Sequence, residues 1–329
     1  MKLALYERKV AEWAHNHAEE LGLLRKVVTA EYIWNPGGFV NQSYKITDGK
    51  RWRHIKLARK ENVPALKQWM QVNSLLMSDF KAPTLICEIK EELVPGYPYG
   101  LVFEYFEGKP LSGNDQVAES VLHKLQQLHS SSKMKEHLTR MEPITYADAF
   151  TEEYITRFQA DLSIIEAEKD LLSFVDEQTL HFFHQEVDDL QERVCEDEAF
   201  RGMASDVVHN DMNWHNVLVD DTGGYRIIDW DDLTSSGDAA MDYSVFLWPF
   251  YQTAGWDFWR EKVEGLAGED ILDRMHYYFR AKLLDEVIDV LADYIEAEEL
   301  PEIKNLTQEK AMTTHLEALT KYKALYNGK

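Results

Sequence analysis

Residues 207–232, VVHNDMNWHNVLVDDTGGYRIIDWDD, constrain this chain more than any other stretch. They place His209, Asp211 and Asn216 within eight residues, then Asp229 at the end of a second apolar run. Val207-Val208 and Val217-Leu218-Val219 read as strands around a polar loop, and Asp221-Thr222-Gly223-Gly224 reads as a hairpin turn. A hairpin that short brings Asn216, near the start of one strand, beside Asp229, at the end of its antiparallel partner. Amide and carboxylate oxygens suit a hard cation such as Mg²⁺, which takes one or two protein carboxylates and fills its shell with water and phosphate. A separate aspartate, Asp211, is then available to accept a hydroxyl proton. The same spacing equally suits an Asx-rich turn whose side chains cap backbone, so the stretch by itself supports both readings.

The surrounding composition narrows the choice of partner. Lys and Arg against Asp and Glu number 15 and 13 over residues 1–107, a net of +2, which leaves 20 and 45 over residues 108–329, a net of −25. Most such charges only solvate a surface. An acidic second part nevertheless repels phosphate polymers and attracts cations, which argues against nucleic acid and for an amine-bearing small molecule. Cys87 and Cys195 form no CxxC pair, and no apolar run reaches the roughly 18 residues of a membrane span. The N-terminal residues break their apolar positions with charges and read as an amphipathic helix rather than a signal peptide. These features predict a cytoplasmic protein with no membrane partner, a monomer or homodimer.

The chain then divides by pattern. Residues 27–34, 39–46 and 51–58 read as an antiparallel meander with Asn35-Pro36-Gly37-Gly38 as its first turn. Gly37 and Gly38 would allow close backbone approach to a phosphate, although two adjacent glycines are equally a plain turn. No G-x-x-x-x-G-K-[ST] occurs, which excludes a P-loop. Period 2 puts Trp52, His54 and Lys56 on one strand face. A helix over 63–79, with Pro64 in its first turn, and strands at 84–89 and 101–103 complete a small lobe ending at Glu107. From residue 115 onward, apolar residues recur at helical spacing almost throughout.

H-x-D-x-x-x-x-N followed by an apolar pair and Asp229 resembles the catalytic and metal loops of the protein-kinase-like fold, in its aminoglycoside phosphotransferase and choline kinase branch. The resemblance extends to the glycine loop, the strand lysine, the apolar hinge ending in Glu107-Gly108, the leucine-rich helix ending in Leu128-His129, and Gly237-Asp238 followed by Asp242. It implies an α+β, two-lobed fold: an N-terminal antiparallel-sheet lobe, 1–107, and a larger, mainly helical lobe, 108–329. It also implies transfer of the γ-phosphoryl group of ATP or GTP, with Mg²⁺, to a hydroxyl of a small cationic acceptor of the aminoglycoside, amino alcohol or amino sugar type.

Carried over position by position, Asp211 is the implied catalytic aspartate, and Asn216 and Asp229 are the implied Mg²⁺ ligands. His209 and Asp242 support the loop. Lys56 contacts the α- and β-phosphates, Gly37 and Gly38 lie over them, and the segment from Phe103 offers the Glu104 carbonyl and Phe106 N–H to the base. Read from the residues themselves, Asp231 and Asp232 suit an addition to the metal site, a contact to a substrate amine or a solvated turn, and Trp248 and Tyr251 are candidates for the acceptor site by cation–π contact. One departure stands out. The helix after the lysine strand lacks the glutamate that should pair with Lys56, and Gln71 is the nearest expected substitute. A neutral amide is the weaker partner, which keeps a pseudokinase, binding nucleotide or serving only as a scaffold, as the competing reading.

Overall fold

The computed structural model describes residues 2–24, 27–34, 41–138, 142–299 and 301–326. In chain order these form α1 (Lys2–Asn16), β1 (Thr29–Ile33), β2 (Asn41–Thr47), β3 (Trp52–Ala58), α2 (Val63–Phe80), β4 (Leu85–Ile89), β5 (Tyr99–Glu104) and β6 (Lys109–Pro110). There follow α3 (Asp115–His129), α4 (Ser132–Lys135), β7 (Ile144–Thr145), α5 (Tyr146–Phe150), a π turn at Thr151–Ile155, α6 (Thr156–Ala167) and α7 (Glu177–Glu196). The rest comprises β8 (Met203–Ala204), β9 (Asp206–Val208), β10 (Val217–Val219), β11 (Tyr225–Ile227), β12 (Thr234–Gly237), α8 (Ala239–Leu247), α9 (Trp256–Ala267), α10 (Asp270–Glu296) and α11 (Lys304–Tyr326). No helix among the described residues is long and apolar enough to cross a membrane.

The chain forms two units. The first holds Met1–Ala118, Glu136–Thr139 and Trp214–Leu233. Its antiparallel sheet has the order β1-β2-β3-β5-β4. Strand β2 alternates buried and half-buried side chains along its whole length, as a strand with one covered face must. Strand β5 closes tightly on β3 at Gly100, where a Cβ would stand 2.6 Å from the Leu57 side chain and 2.8 Å from the Lys56 carbonyl oxygen. Helix α2 starts with Pro64 in its first turn and ends at Lys81, whose left-handed backbone returns its N–H to the Leu76 carbonyl. Its apolar stripe, Leu66, Trp69, Val72, Leu76 and Phe80, is buried, with Trp69 stacked on Phe103 of β5 at 4.5 Å.

The sequence pattern places the lobe boundary at 107, yet Trp214–Leu233 belongs with the sheet. Two backbone links and one side-chain link explain this. Strand β10 pairs with β6 at Leu218↔Pro110, the Ile227 N–H donates to the Lys81 carbonyl, and Gln68 Nε2 donates to the Leu233 carbonyl at 2.6 Å. Pairings between segments over a hundred residues apart leave no trace in local periodicity.

The second unit is mainly helical and is built on α10, whose buried residues include Ile271, Met275, Tyr278, Phe279, Leu283, Leu284, Val287, Ile288 and Leu291. Its Arg274 grips Asp238 with two nitrogens, at 2.8 and 3.2 Å, while Asp238 caps α8 through the Ala240 N–H. Beside it, β12 packs so closely on β9 that a Cβ on Gly237 would stand 2.0 Å from Val208.

Helix α6 faces an acidic side of α10. Asp161 is 8% exposed, and its Oδ2 is buried without a hydrogen-bond partner. Burial first, and the nearby Asp289 second, push its carboxyl up to about 7. A carboxyl raised in the folded state holds a proton that the unfolded chain releases near pH 4. Stability from this group is therefore present at low pH and is lost as pH rises toward 7. Replacing Asp161→Asn should raise the melting temperature by a few degrees at pH 8 and change it little at pH 4, measured by calorimetry or circular dichroism. An equal shift at both pH values would remove the proton from the explanation.

Candidate active site

In the first unit, Lys56 projects from β3 and is buried, its side chain 7% exposed. The ammonium forms ion pairs with Asp229 and with Asp231, the latter at 2.6 Å, and stands 5.6 Å from the centre of the Trp69 ring. Burial alone would lower the lysine's pKa, but the two carboxylates outweigh it and hold the group above the ordinary lysine range. Burial first and the Asp229 charge second push the Asp231 carboxyl well above the carboxylate range. His54, two residues back on the strand, is held down to about 4 by burial and by Lys56, so it is a neutral ring at physiological pH.

The hairpin behaves as its spacing requires. Val217 pairs with Ile227, and the Ile228 N–H donates to the Asn216 carbonyl at 2.9 Å, so Asn216 and Asp229 sit at the same end of the two strands. Asn216 is buried, and Asp229 has a left-handed backbone, φ 66° and ψ 55°, that turns the chain into Trp230–Asp232. An amide oxygen and one or two carboxylates on adjoining strand ends are a donor set that fits a hard divalent cation completed by phosphate and water. Among the described residues no cluster of three His, Cys, Asp or Glu could hold a metal by itself.

In the second unit, the Asp211 loop is fixed from behind. Asp242 of α8 is fully buried. Its Oδ2 accepts the His209 N–H and its Oδ1 the Asn210 N–H, both at 2.9 Å, and His129 Nε2 lies 3.0 Å from Oδ2. Asn210 takes a left-handed conformation, φ 68°, which reverses the chain just before Asp211. Asp211 donates its N–H to His209 Nδ1 at 3.3 Å, and Asn213 Nδ2 donates to Asp211 Oδ1 at 2.7 Å. The half-buried carboxylate is thus held from within its own loop.

The other expected positions fare differently. Gly37 and Gly38 lie outside the described residues. Strand β5 ends at Glu104, so the backbone from Tyr105 to Gly108, Phe106 included, lies beyond the sheet ladder. Phe103 is a core residue, fully buried between Trp69 and His54. Gln71 is not the partner of Lys56: it is exposed on α2, because its helical turn points Trp69 and Val72 inward and Gln71 outward. Asp232 is exposed. Trp248 and Tyr251 do not form an open cage. Trp248 donates its indole N–H to Glu286 and carries Lys321 over its ring at 4.3 Å, and Tyr251 stacks flat on Phe279 at 3.9 Å. Asp231 and its contact Asn41 are the residues whose place the sequence did not reveal. Asn41 Nδ2 donates to Asp231 Oδ2 at 2.7 Å, and the only local signal was an asparagine opening a strand.

Known structures share this architecture. Wild-type aminoglycoside 2'-phosphotransferase-IIIa in its GDP complex matches with a TM-score of 0.60 at 16% identity, over 96% of this chain and 98% of that one. Macrolide 2'-phosphotransferase type I matches with a TM-score of 0.57 at 17% identity, covering 91% and 96%. An ethanolamine kinase from Plasmodium vivax matches with a TM-score of 0.53 at 11% identity, covering 93% and 86%. No curated protein matches the chain in sequence. The phosphotransferase enzyme family matches residues 34–278. By that match, and with the kinase-like fold around a braced aspartate and a carboxylate-bound lysine, the chain belongs to the phosphotransferase enzyme family.

Proposed function

We propose that this phosphotransferase moves the γ-phosphoryl group of ATP or GTP onto a hydroxyl of a small cationic acceptor, of the aminoglycoside, amino alcohol or amino sugar type. The observation that carries the reading is the brace behind Asp211. A fully buried carboxylate, Asp242, spends both oxygens on the two amides that precede this one aspartate. Such an arrangement positions a group that must meet a substrate with little freedom.

In the proposed reaction Asp211 accepts a hydrogen bond from the acceptor hydroxyl and takes its proton as the oxygen attacks phosphorus. Lys56 neutralises phosphate charge, and its buried, doubly paired state keeps it protonated for that purpose. Asp229 and Asn216 would hold Mg²⁺, which when bound supplies positive charge between phosphate oxygens. Nucleotide binding draws support from related structures solved with GDP and ADP. The cationic acceptor draws support from the net charge of −25 over residues 108–329. The competing reading, a non-catalytic nucleotide-binding protein, rests on the absence of an acid in the core of α2.

Two measurements test this. ATP or GTP at about a hundred times its dissociation constant should stabilise the protein by about 2.7 kcal/mol, raising its melting temperature by several degrees, with Mg²⁺ present and not without it. No Mg²⁺-dependent shift at millimolar nucleotide would sink the kinase reading. Asp211→Asn should lower turnover about 10²–10⁴-fold in a coupled ADP assay while keeping that thermal shift. Wild-type turnover in this variant would exclude Asp211 as the base. The same assay, run with aminoglycosides, choline, ethanolamine and uncharged sugars, decides the acceptor, and activity on uncharged sugars alone would refute the cationic class.

A further inference from the structure

We propose that Asp231 is the positioning residue of Lys56, taking over from the strand-end turn the part that a helix carboxylate would otherwise play; this rests on the kinase reading of the site. Helix α2 offers Lys56 no acid. Its one carboxylate, Asp79, lies in the last turn, and Trp69 of α2 presents its ring 5.6 Å from the ammonium. A buried ammonium left with an indole face alone would be costly, because a ring quadrupole replaces little of its lost hydration. The Trp230–Asp232 turn corrects this by directing Asp231 back to Nζ at 2.6 Å.

Lys56 touches both Asp229 and Asp231, but only one of them is built in. The Asp231 side chain is 10% exposed, against 32% for Asp229. Asp231 uses Oδ1 for Lys56 and Oδ2 for Asn41 Nδ2 at 2.7 Å. Asn41 lies on the strand next to Lys56, and the register Ser43↔Lys56 and Asn41↔Ala58 puts its side chain on the same sheet face as the lysine. The carboxylate is therefore clamped between two adjacent strands. Gln68 Nε2, donating to the Leu233 carbonyl at 2.6 Å, ties α2 to the far end of the same turn. Lysine strand, neighbouring strand and hairpin thus meet at the Asp231 carboxylate, with α2 tied to the same turn.

The test is a pair of double-mutant cycles on Lys56→Met and Asp231→Asn, with Asp231→Glu as the conservative variant. In urea unfolding of the nucleotide-free protein, the double variant should lose clearly less stability than the sum of the single variants. In turnover, Asp231→Asn should lower kcat/KM for nucleotide at least tenfold, chiefly through KM, with half-saturating Mg²⁺ unchanged within twofold. Adding it to Lys56→Met should cost no more than a further threefold, and Asp231→Glu should recover part of the loss. Additive losses in the urea cycle would show that Asp231 acts apart from Lys56 and would overturn the proposal. So would a tenfold rise in the Mg²⁺ requirement of Asp231→Asn, which would make Asp231 a metal ligand. The urea cycle needs no catalysis, so it decides the pair even if the protein turns nothing over.

Discussion

One buried carboxylate organises the Asp211 loop of the second unit. Asp242 receives the N–H groups of His209 and Asn210 and meets His129 from the end of α3, so three separate segments converge on two oxygens. A buried carboxyl group is tolerable in such a place because two amide donors and an imidazole nitrogen meet its oxygens. The left-handed backbone of Asn210 carries a local cost of about 1–3 kcal/mol, which those two amide bonds offset. The outcome is a loop whose geometry is set from inside the helical unit, with Asp211 at its tip.

The sheet-bearing unit solves the opposite problem. There the buried group is a cation, and the chain surrounds Lys56 with Asp229, Asp231 and an indole ring. Strand β5 approaches β3 closely at Gly100, beside the Lys56 carbonyl.

The acidity of the second part of the chain has a more specific location than its total suggests. Part of it is buried on α6 and α10, where Asp161, Asp289 and Asp293 are all pushed above the usual carboxylate range, burial being the first cause in each. Arg157 and Lys282 meet Asp285 in the same region. The aromatic residues, which as a composition suggested an open cation–π cage, are engaged with the chain's own Lys321, Glu286 and Phe279. Composition counts such groups without showing which of them face solvent.

By itself the sequence determined the elements whose information is local. Period-2 and period-3.6 patterns located β2, β3, α2 and α3 within a few residues, and the Gly-Gly turn delivered the hairpin that sets Asn216 beside Asp229. Motif spacing led to the family and to the proposed role of Asp211, because a loop motif records short-range geometry. Only the tertiary structure decided what depends on long-range closure. It placed residues 214–233 with the sheet, turned Gln71 outward, made Phe103 a core residue, and brought Asn41 and Asp231 together across 190 positions. No local pattern encodes such contacts, since a side chain's partner is chosen by where distant backbones are forced together to bury apolar surface.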